Sequence, residues 1–365
     1  MQVNLAYLLD RPTGTTQYAL NLLPYLDALD PQYLATPACL LPPHRYIPVP
    51  ANMTAAQGTA GHLRRLAWTQ FKLPRFCKPQ TSQDSPLLFS PIPEAPLFQK
   101  VRSVVMFHDL IPLRFPQFFG AIKHFYKYYV PQVLSQAERI LCNSEATARD
   151  IVAFYRIPAQ KLIPIPLAYD ASHFQPTSTA PAVLSGRPTR SPYVLMLGRQ
   201  APYKNVGRVI KALANVQTDC TLLIAGPTDA RYTPELIAIA KALNIQSRIQ
   251  FLSYVPYEQL PGLLSGARGL IFPSLWEGFG LPVLEAMACG TPVICSEVSA
   301  LPEVAGDAAM LVDPYSVSAI ASAINQLLTD DTLYQQLQTA GLKRAKQFSW
   351  EKTGQATVEI LRQHL

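Results

Sequence analysis

Glu277-Gly278-Phe279-Gly280-Leu281-Pro282-Val283-Leu284-Glu285 is the stretch that decides how the chain is read. An apolar run, Gly269-Leu270-Ile271-Phe272-Pro273-Ser274, precedes it with the character of a buried strand. Ala286-Met287-Ala288-Cys289-Gly290 follows as the end of a short helix. The stretch is therefore a strand-loop-helix corner. Pro282 suits the first helical position, where a missing N–H does no harm, and Gly290 suits the left-handed residue just past a helix end. Gly278 and Gly280 carry no Cβ, so the loop backbone can approach a ligand, and the helix start offers free N–H groups to an anion such as a phosphate. Two carboxylates flank that anion site: Glu277 just before the loop and Glu285 about one turn into the helix. Either they complement the helix dipole, or each has a partner of its own. Sugar hydroxyls are such a partner, because a carboxylate only accepts hydrogen bonds and a vicinal diol supplies paired donors.

Read from Glu277 through Glu285 and on to Ala286-Met287-Ala288-Cys289-Gly290-Thr291-Pro292-Val293, the stretch resembles the Glu-x7-Glu signature of retaining glycosyltransferases of family 4. The resemblance implies an α/β architecture of the GT-B type. In it two Rossmann-like domains face a central cleft, and a C-terminal helix crosses back onto the N-terminal domain. It also implies that the loop at Phe279, Gly280 and Leu281 binds a sugar nucleotide donor, with Glu285 on the nucleotide ribose and Glu277 on the sugar.

Working outward, Tyr193-Val194-Leu195-Met196-Leu197-Gly198 reads as a strand, and Arg199 and Lys204 follow in the loop before a helix expected over 206–216. Two cations at this spacing are ordinarily a solvated surface. At the carboxyl end of a strand they can instead stabilise the charge that grows on a departing diphosphate. The order Gly198-Arg199, four residues, Lys204-Asn205 also resembles the family pattern, which implies that these cations hold the diphosphate. The resemblance further places the base-binding backbone near Tyr254 and Val255.

In the N-terminal half, Val101 to Phe107 reads as a strand with His108-Asp109 at its carboxyl end, where open α/β sheets place their ligands. His108 to Pro116 is similar to a stretch common in family 4 mannosyltransferases of polysaccharide assembly. That similarity implies a role for His108 against the donor sugar, with Asp109 as an orienting neighbour. Gly14 lies between a first strand, Val3 to Leu9, and a helix expected to begin near Ala19. A lone glycine lacks the three-glycine dinucleotide fingerprint, which argues against NAD or FAD. In the family a glycine-bearing loop here faces the donor and acceptor, often with two glycines. Here the neighbour is Thr13, so only Gly14 is carried over.

The chain has 365 residues, 49% hydrophobic and 15% charged, enough for two ordinary domains. The expected division is an N-terminal domain over 1–170 joined by a returning helix 349–365, a linker over 171–190 rich in Pro, Ser and Thr, and a C-terminal nucleotide-sugar domain over 191–348. No apolar run has the length of a membrane span, and Met1 to Asp10 lacks the flank and core of a signal peptide, so a cytoplasmic protein is expected. The six cysteines, Cys39, Cys77, Cys142, Cys220, Cys289 and Cys295, are scattered with no Cys-x-x-Cys, which suggests neither zinc nor disulfides.

The net charge of +7 is uneven: residues 1–180 hold 16 Lys and Arg against 10 Asp and Glu. Between Asp30 and Asp84 there is no acid, while Arg45, Arg64, Arg65, Lys72, Arg75 and Lys78 fall in that interval. With Leu63, Leu66, Trp68 and Phe71 interleaved, the segment from Gly61 to Lys78 reads either as a basic helix or loop resting on an anionic membrane, or as a solvated surface with a packed apolar side. No recognition motif accompanies the charge, so nucleic acid is not an expected partner. The proline-rich stretch from Pro31 to Pro96 shows little periodicity and is expected to hold connections and acceptor-facing surface.

The function expected is therefore transfer of a hexose, with mannose from GDP-mannose as the specific expectation, from a nucleoside diphosphate sugar to a glycan or lipid-linked acceptor. No cofactor is expected, and no metal, because no Asp-x-Asp motif occurs in the chain. The alternatives are a sugar-nucleotide epimerase, a phosphorylase, or a non-catalytic sugar-nucleotide-binding subunit.

Overall fold

Apolar runs without alternation, such as Val104-Val105-Met106-Phe107 and Leu270-Ile271-Phe272, are buried throughout, as parallel strands covered by helices on both faces must be. The computed structural model describes residues 1–8, 14–36, 45–78, 86–179, 181–184 and 192–365. Leu9, Thr13, Cys39 and the linker residues 185–190 lie outside the described residues. The chain forms two compact units, Met1–Leu167 with Trp350–Leu365, and Ala168–Ser349.

The first unit carries the parallel strands β1 (Gln2–Leu5), β2 (Gln32–Ala35), β3 (Tyr46–Pro48), β4 (Leu88–Ser90), β5 (Ser103–Phe107), β6 (Arg139–Cys142) and β7 (Leu162–Pro164), in the order β3-β2-β1-β4-β5-β6-β7. Its principal helices are α1 (Gly14–Leu26), α2 (Gly58–Phe71) and α3 (Glu145–Tyr155). The proline-rich stretch is thus not mainly connection, since β2, β3, β4 and α2 all come from it. Strands of three or four residues are too short to show a period, and Pro48 closes the edge strand β3, where a missing N–H is tolerated. Helix α1 begins at Gly14 rather than near Ala19, because the buried face of Tyr18, Leu22 and Leu26 outweighs the weak helix propensity of Thr15 and Thr16. Helix α3 is capped by Ser144, whose Oγ accepts from the Thr147 N–H at 3.0 Å.

Helix α2 divides the basic interval in two. Arg65 points inward, 8% exposed, and makes a two-pronged ion pair with Glu94 at 2.8 Å on each prong, while Trp68 joins the core. Arg45 is paired with Asp27 at 2.9 Å. Arg64, Lys72, Arg75 and Lys78 remain on the surface beside Leu63 and Phe71, which are 60% and 62% exposed.

The second unit carries β8 (Tyr193–Leu197), β9 (Thr221–Ala225), β10 (Ile249–Ser253), β11 (Gly269–Phe272), β12 (Val293–Ser296) and β13 (Met310–Val312), in the order β10-β9-β8-β11-β12-β13. Helices α4 (Val206–Leu213), α5 (Thr233–Ala242), α6 (Leu281–Ala288), α7 (Val317–Thr329) and α8 (Asp331–Ala345) cover it. The strand order reverses at β8, which pairs with β9 on one side and β11 on the other. A crevice opens at such a reversal because the following connections leave to opposite faces, and ligands of open α/β sheets bind there.

The last helix, α9 (Trp350–Arg362), belongs to the first unit. It packs so tightly on α1 that a Cβ added at Gly354 would sit 2.3 Å from the Tyr25 ring. Thr353 Oγ1 donates to the Pro166 carbonyl at 2.7 Å. Among the described residues no helix is long and apolar enough to cross a membrane.

Candidate functional site

In the second unit the loops leaving β8 and β11 meet at the reversal point. Gly198 and Gly226 both have positive φ, at 129° and 148°, and a Cβ on Gly226 would lie 1.9 Å from the Gly198 carbonyl oxygen. Only glycine allows that approach. The strand ends are laced there: the Gly198 N–H donates to Ala225 O at 2.9 Å and the Gly226 N–H to Ser253 O at 2.7 Å. The β8 loop then closes in a short turn, Pro202–Lys204, ended by Asn205 in the left-handed region at φ 65°. Asn205 ties this turn to the neighbouring loops by donating from Nδ2 to Pro273 O at 2.9 Å and Pro314 O at 2.6 Å. The Leu275 N–H donates back to Tyr203 O at 2.7 Å.

These ties deliver Lys204 to Glu277, with Nζ 2.6 Å from Oε1. The pair is largely buried, the side chains 17% and 11% exposed, and the ammonium also lies 5.0 Å from the Phe272 ring centre. The Glu277 N–H donates to Ser299 Oγ at 3.2 Å, and Ser299 itself is held at a positive φ of 62°. Arg199 stays exposed on the same loop as Lys204. Nearby Asp229 is held down to about 2 by its hydrogen bonds to Arg231, with Arg199 adding to the effect.

The helix that follows, α6, begins at Leu281, so Pro282 is its second residue rather than its first. Gly280 precedes it at φ 114°, where a Cβ would meet Leu301 Cδ2 at 2.6 Å, and no side chain caps the helix start. Phe279 is buried edge-on against Phe348, ring centres 6.1 Å apart. Gly290 takes the left-handed conformation at φ 74° beyond the helix end. Glu285 differs sharply from Glu277. Its side chain is half-buried, desolvation pushes the carboxyl up to about 7, and among the described residues that carboxyl makes no hydrogen bond or ion pair. Burial first, then the charges of Asp170 and Glu285, raise the Tyr257 phenol far above its ordinary range. Val255 is buried in the segment after β10, just past Ser253, whose φ of 57° turns the chain at the strand's end.

In the first unit His108 sits at the carboxyl end of β5. Its Nε2 lies 3.1 Å from the Pro91 carbonyl, and Tyr18 stacks edge-on at 5.2 Å. A carbonyl only accepts, so Nε2 carries the proton. Burial, opposed in part by Pro91, lowers the imidazole to about 4 and keeps it neutral, leaving Nδ1 as an acceptor. Pro91 O thus orients the ring, and Asp109 Oδ1 accepts from the Ile111 N–H at 3.0 Å in the turn that follows. Gly14 is the exposed first residue of α1, and among the described residues nothing lies within 4 Å of where a Cβ would stand.

Sequence reasoning missed Ser299, Tyr257 and the Arg65–Glu94 pair. A serine in a left-handed backbone and a salt bridge spanning 29 positions leave no local pattern.

Comparison with known proteins identifies the family. The family described as glycosyl transferases group 1 matches residues 184–344, and glycosyltransferase family 4 matches residues 12–173. The O-antigen chain mannosyltransferase B of Escherichia coli is 32% identical over 263 residues, covering 70% of this chain and 69% of that protein. The serotype-specific mannosyltransferase WbdA of Escherichia coli is 26% identical over 274 residues, covering 71% of this chain and 33% of WbdA. Among solved structures, Anabaena HepE in complex with UDP and glucose superposes over 100% of both chains with a TM-score of 0.76 at 20% identity, a likeness of fold.

Proposed function

The chain belongs to the group 1, family 4 glycosyltransferases, and from that premise we propose that it moves mannose, with retention of configuration, from GDP-mannose to a sugar hydroxyl of a glycan or lipid-linked acceptor. The observation that carries this reading is the contrast between two carboxylates at one strand-loop-helix corner: Glu277 buried and held against Lys204, and Glu285 half-buried with no partner for its carboxyl among the described residues. A ribose diol supplies the donors that Glu285 lacks, and sugar hydroxyls suit Glu277. Arg199 and Lys204 carry the positive charge that a departing diphosphate requires, so the transfer needs no divalent metal.

The substitution proceeds on one face of the sugar. The bond from the anomeric carbon to the diphosphate breaks, the acceptor oxygen bonds to that carbon, and the departing diphosphate takes the acceptor proton, so no protein nucleophile forms a bond. Gly14, Val255, Phe279, Gly280 and Leu281 contribute backbone or contact surface to the substrates. His108, neutral with Nδ1 as acceptor, receives a sugar hydroxyl.

The names of the relatives support mannose, whereas HepE was solved with UDP and glucose. A thermal-shift comparison of GDP-mannose with UDP-glucose separates the two, since a ligand at 100 times its dissociation constant stabilises by about 2.7 kcal/mol. The larger shift with GDP-mannose is expected; a larger shift with UDP-glucose overturns the donor assignment.

We further propose that the enzyme works at the cytoplasmic face of an anionic membrane. In support, Leu63, Phe71 and Phe98 are 60%, 62% and 75% exposed, and the rings of Phe71 and Phe98 stack with centres 6.2 Å apart. Arg64, Lys72, Arg75, Lys78 and Lys100 are exposed on the same segments. Apolar side chains ringed by cations suit the boundary between headgroups and acyl chains.

A further inference from the structure

Lys204 and Glu277 have been given separate tasks, one toward the diphosphate and one toward the sugar, yet in the structure they are bonded to each other. Their contact is 2.6 Å, both side chains are largely buried, and among the described residues no other side chain bonds the Glu277 carboxylate. The ring of Phe272 and the backbone at Gly198 close in around Lys204, Gly198 coming within 3.6 Å of the lysine Cε when given a Cβ. Resting on the donor reading above, we infer that the Lys204–Glu277 ion pair makes the site select the complete sugar nucleotide over the nucleoside diphosphate left after transfer.

Compensation decides which ligand opens the pair. Removing one partner of a buried pair leaves an unbalanced charge, which is far more unfavourable than either group with a partner. A nucleoside diphosphate draws on the ammonium but brings nothing to Glu277, and its own negative charge repels that carboxylate. A sugar nucleotide brings phosphates for Lys204 and hydroxyl donors for Glu277 together, so both halves of the pair are satisfied when it opens. Once the sugar has moved to the acceptor, Glu277 has lost its donors and reclaims Lys204. Reclosure of the pair then works against the retained diphosphate and favours its release.

This gives Glu277 a sign that a simple binding residue does not have. Glu277→Gln removes both the repulsion and the competitor for Lys204. It should therefore tighten GDP, by about fivefold if the pair is worth the upper range of a partly screened bridge. The same variant should weaken GDP-mannose, because a carboxylate acceptor has become an amide. Glu277→Asp keeps the charge and should leave GDP near its wild-type affinity. Glu285→Gln, which touches the part common to both ligands, should weaken GDP and GDP-mannose alike.

The experiment is calorimetric titration of GDP and GDP-mannose, with UDP and UDP-glucose as a second pair, into the wild-type chain and these three variants, each checked for a wild-type-like melting curve. Opposite changes in GDP and GDP-mannose for Glu277→Gln, absent in Glu277→Asp, support the inference. If the wild type binds a sugar nucleotide but Glu277→Gln leaves the diphosphate unchanged or weaker, or if Asp and Gln tighten it equally, the inference is wrong while the donor reading stands. A wild type that binds neither pair overturns the donor reading, and the inference with it.

Discussion

Glu277 and Glu285 belong to one motif, and the fold gives them opposite electrostatics. Lys204 meets the first, whereas the second is half-buried, has no counter-charge among the described residues and is pushed to about 7 by desolvation. Ribose hydroxyls donate to the ionised form, so donor binding favours deprotonation of Glu285. Below pH 7 the free site must first lose that proton, and donor affinity should fall by up to about tenfold per pH unit. Above pH 7 it should be flat. His108, lowered to about 4, stays neutral across this window and adds no slope. Titrating GDP-mannose between pH 5.5 and 8 checks the profile, and Glu285→Gln should abolish the slope while weakening the donor by a loss on the order of 1.5–3 kcal/mol. A steep wild-type slope that survives in Glu285→Gln would assign the proton elsewhere. Arg199 and Lys204 yield a second prediction. Charge on the diphosphate grows as its bond to the sugar breaks, so alanine at either position should lower saturated turnover more than it weakens the donor, by a barrier increase of roughly 2.7–4 kcal/mol. Affinity lost with turnover intact would mean that these cations only hold the donor.

At the scale of elements, the loops leaving β8 and β11 were legible because their chemistry is local: a glycine, two cations, and a glycine-rich turn before a helix with proline in its first turn. Their closeness was not, because it depends on Asn205 Nδ2 reaching the carbonyls of Pro273 and Pro314, and on Gly226 admitting the Gly198 carbonyl. Helix α2 shows the opposite difficulty. Its basic composition was plain, yet only the fold separates Arg65, sealed inside with Glu94, from Arg64 and Lys72 on the surface. The prediction that belongs to this element is salt-sensitive binding of the full chain to vesicles containing phosphatidylglycerol, weakened about tenfold or more by Phe71→Ala with Phe98→Ala. Co-sedimentation measures it; binding equal to wild type in the double variant would remove this face as the contact.

For the whole molecule, two parallel sheets were readable from apolar runs and strand-end motifs, most securely in the second unit, where β8, β9, β11 and β12 each hold four or five buried residues. The first unit was less readable because β2, β3 and β4 are only three or four residues long and lie among prolines. Fold and family carry the chain as far as a glycosyltransferase; the chemistry proposed for it is retention without a metal, powered by positioning and by fixed cations. The direct test is incubation with GDP-α-mannose and a mannose-terminated oligosaccharide in excess EDTA, with proton NMR of the glycan formed. The account predicts GDP release and a new α-mannosidic linkage at an undiminished rate. A β-linked product, or a rate abolished by EDTA and restored by magnesium or manganese, would contradict it.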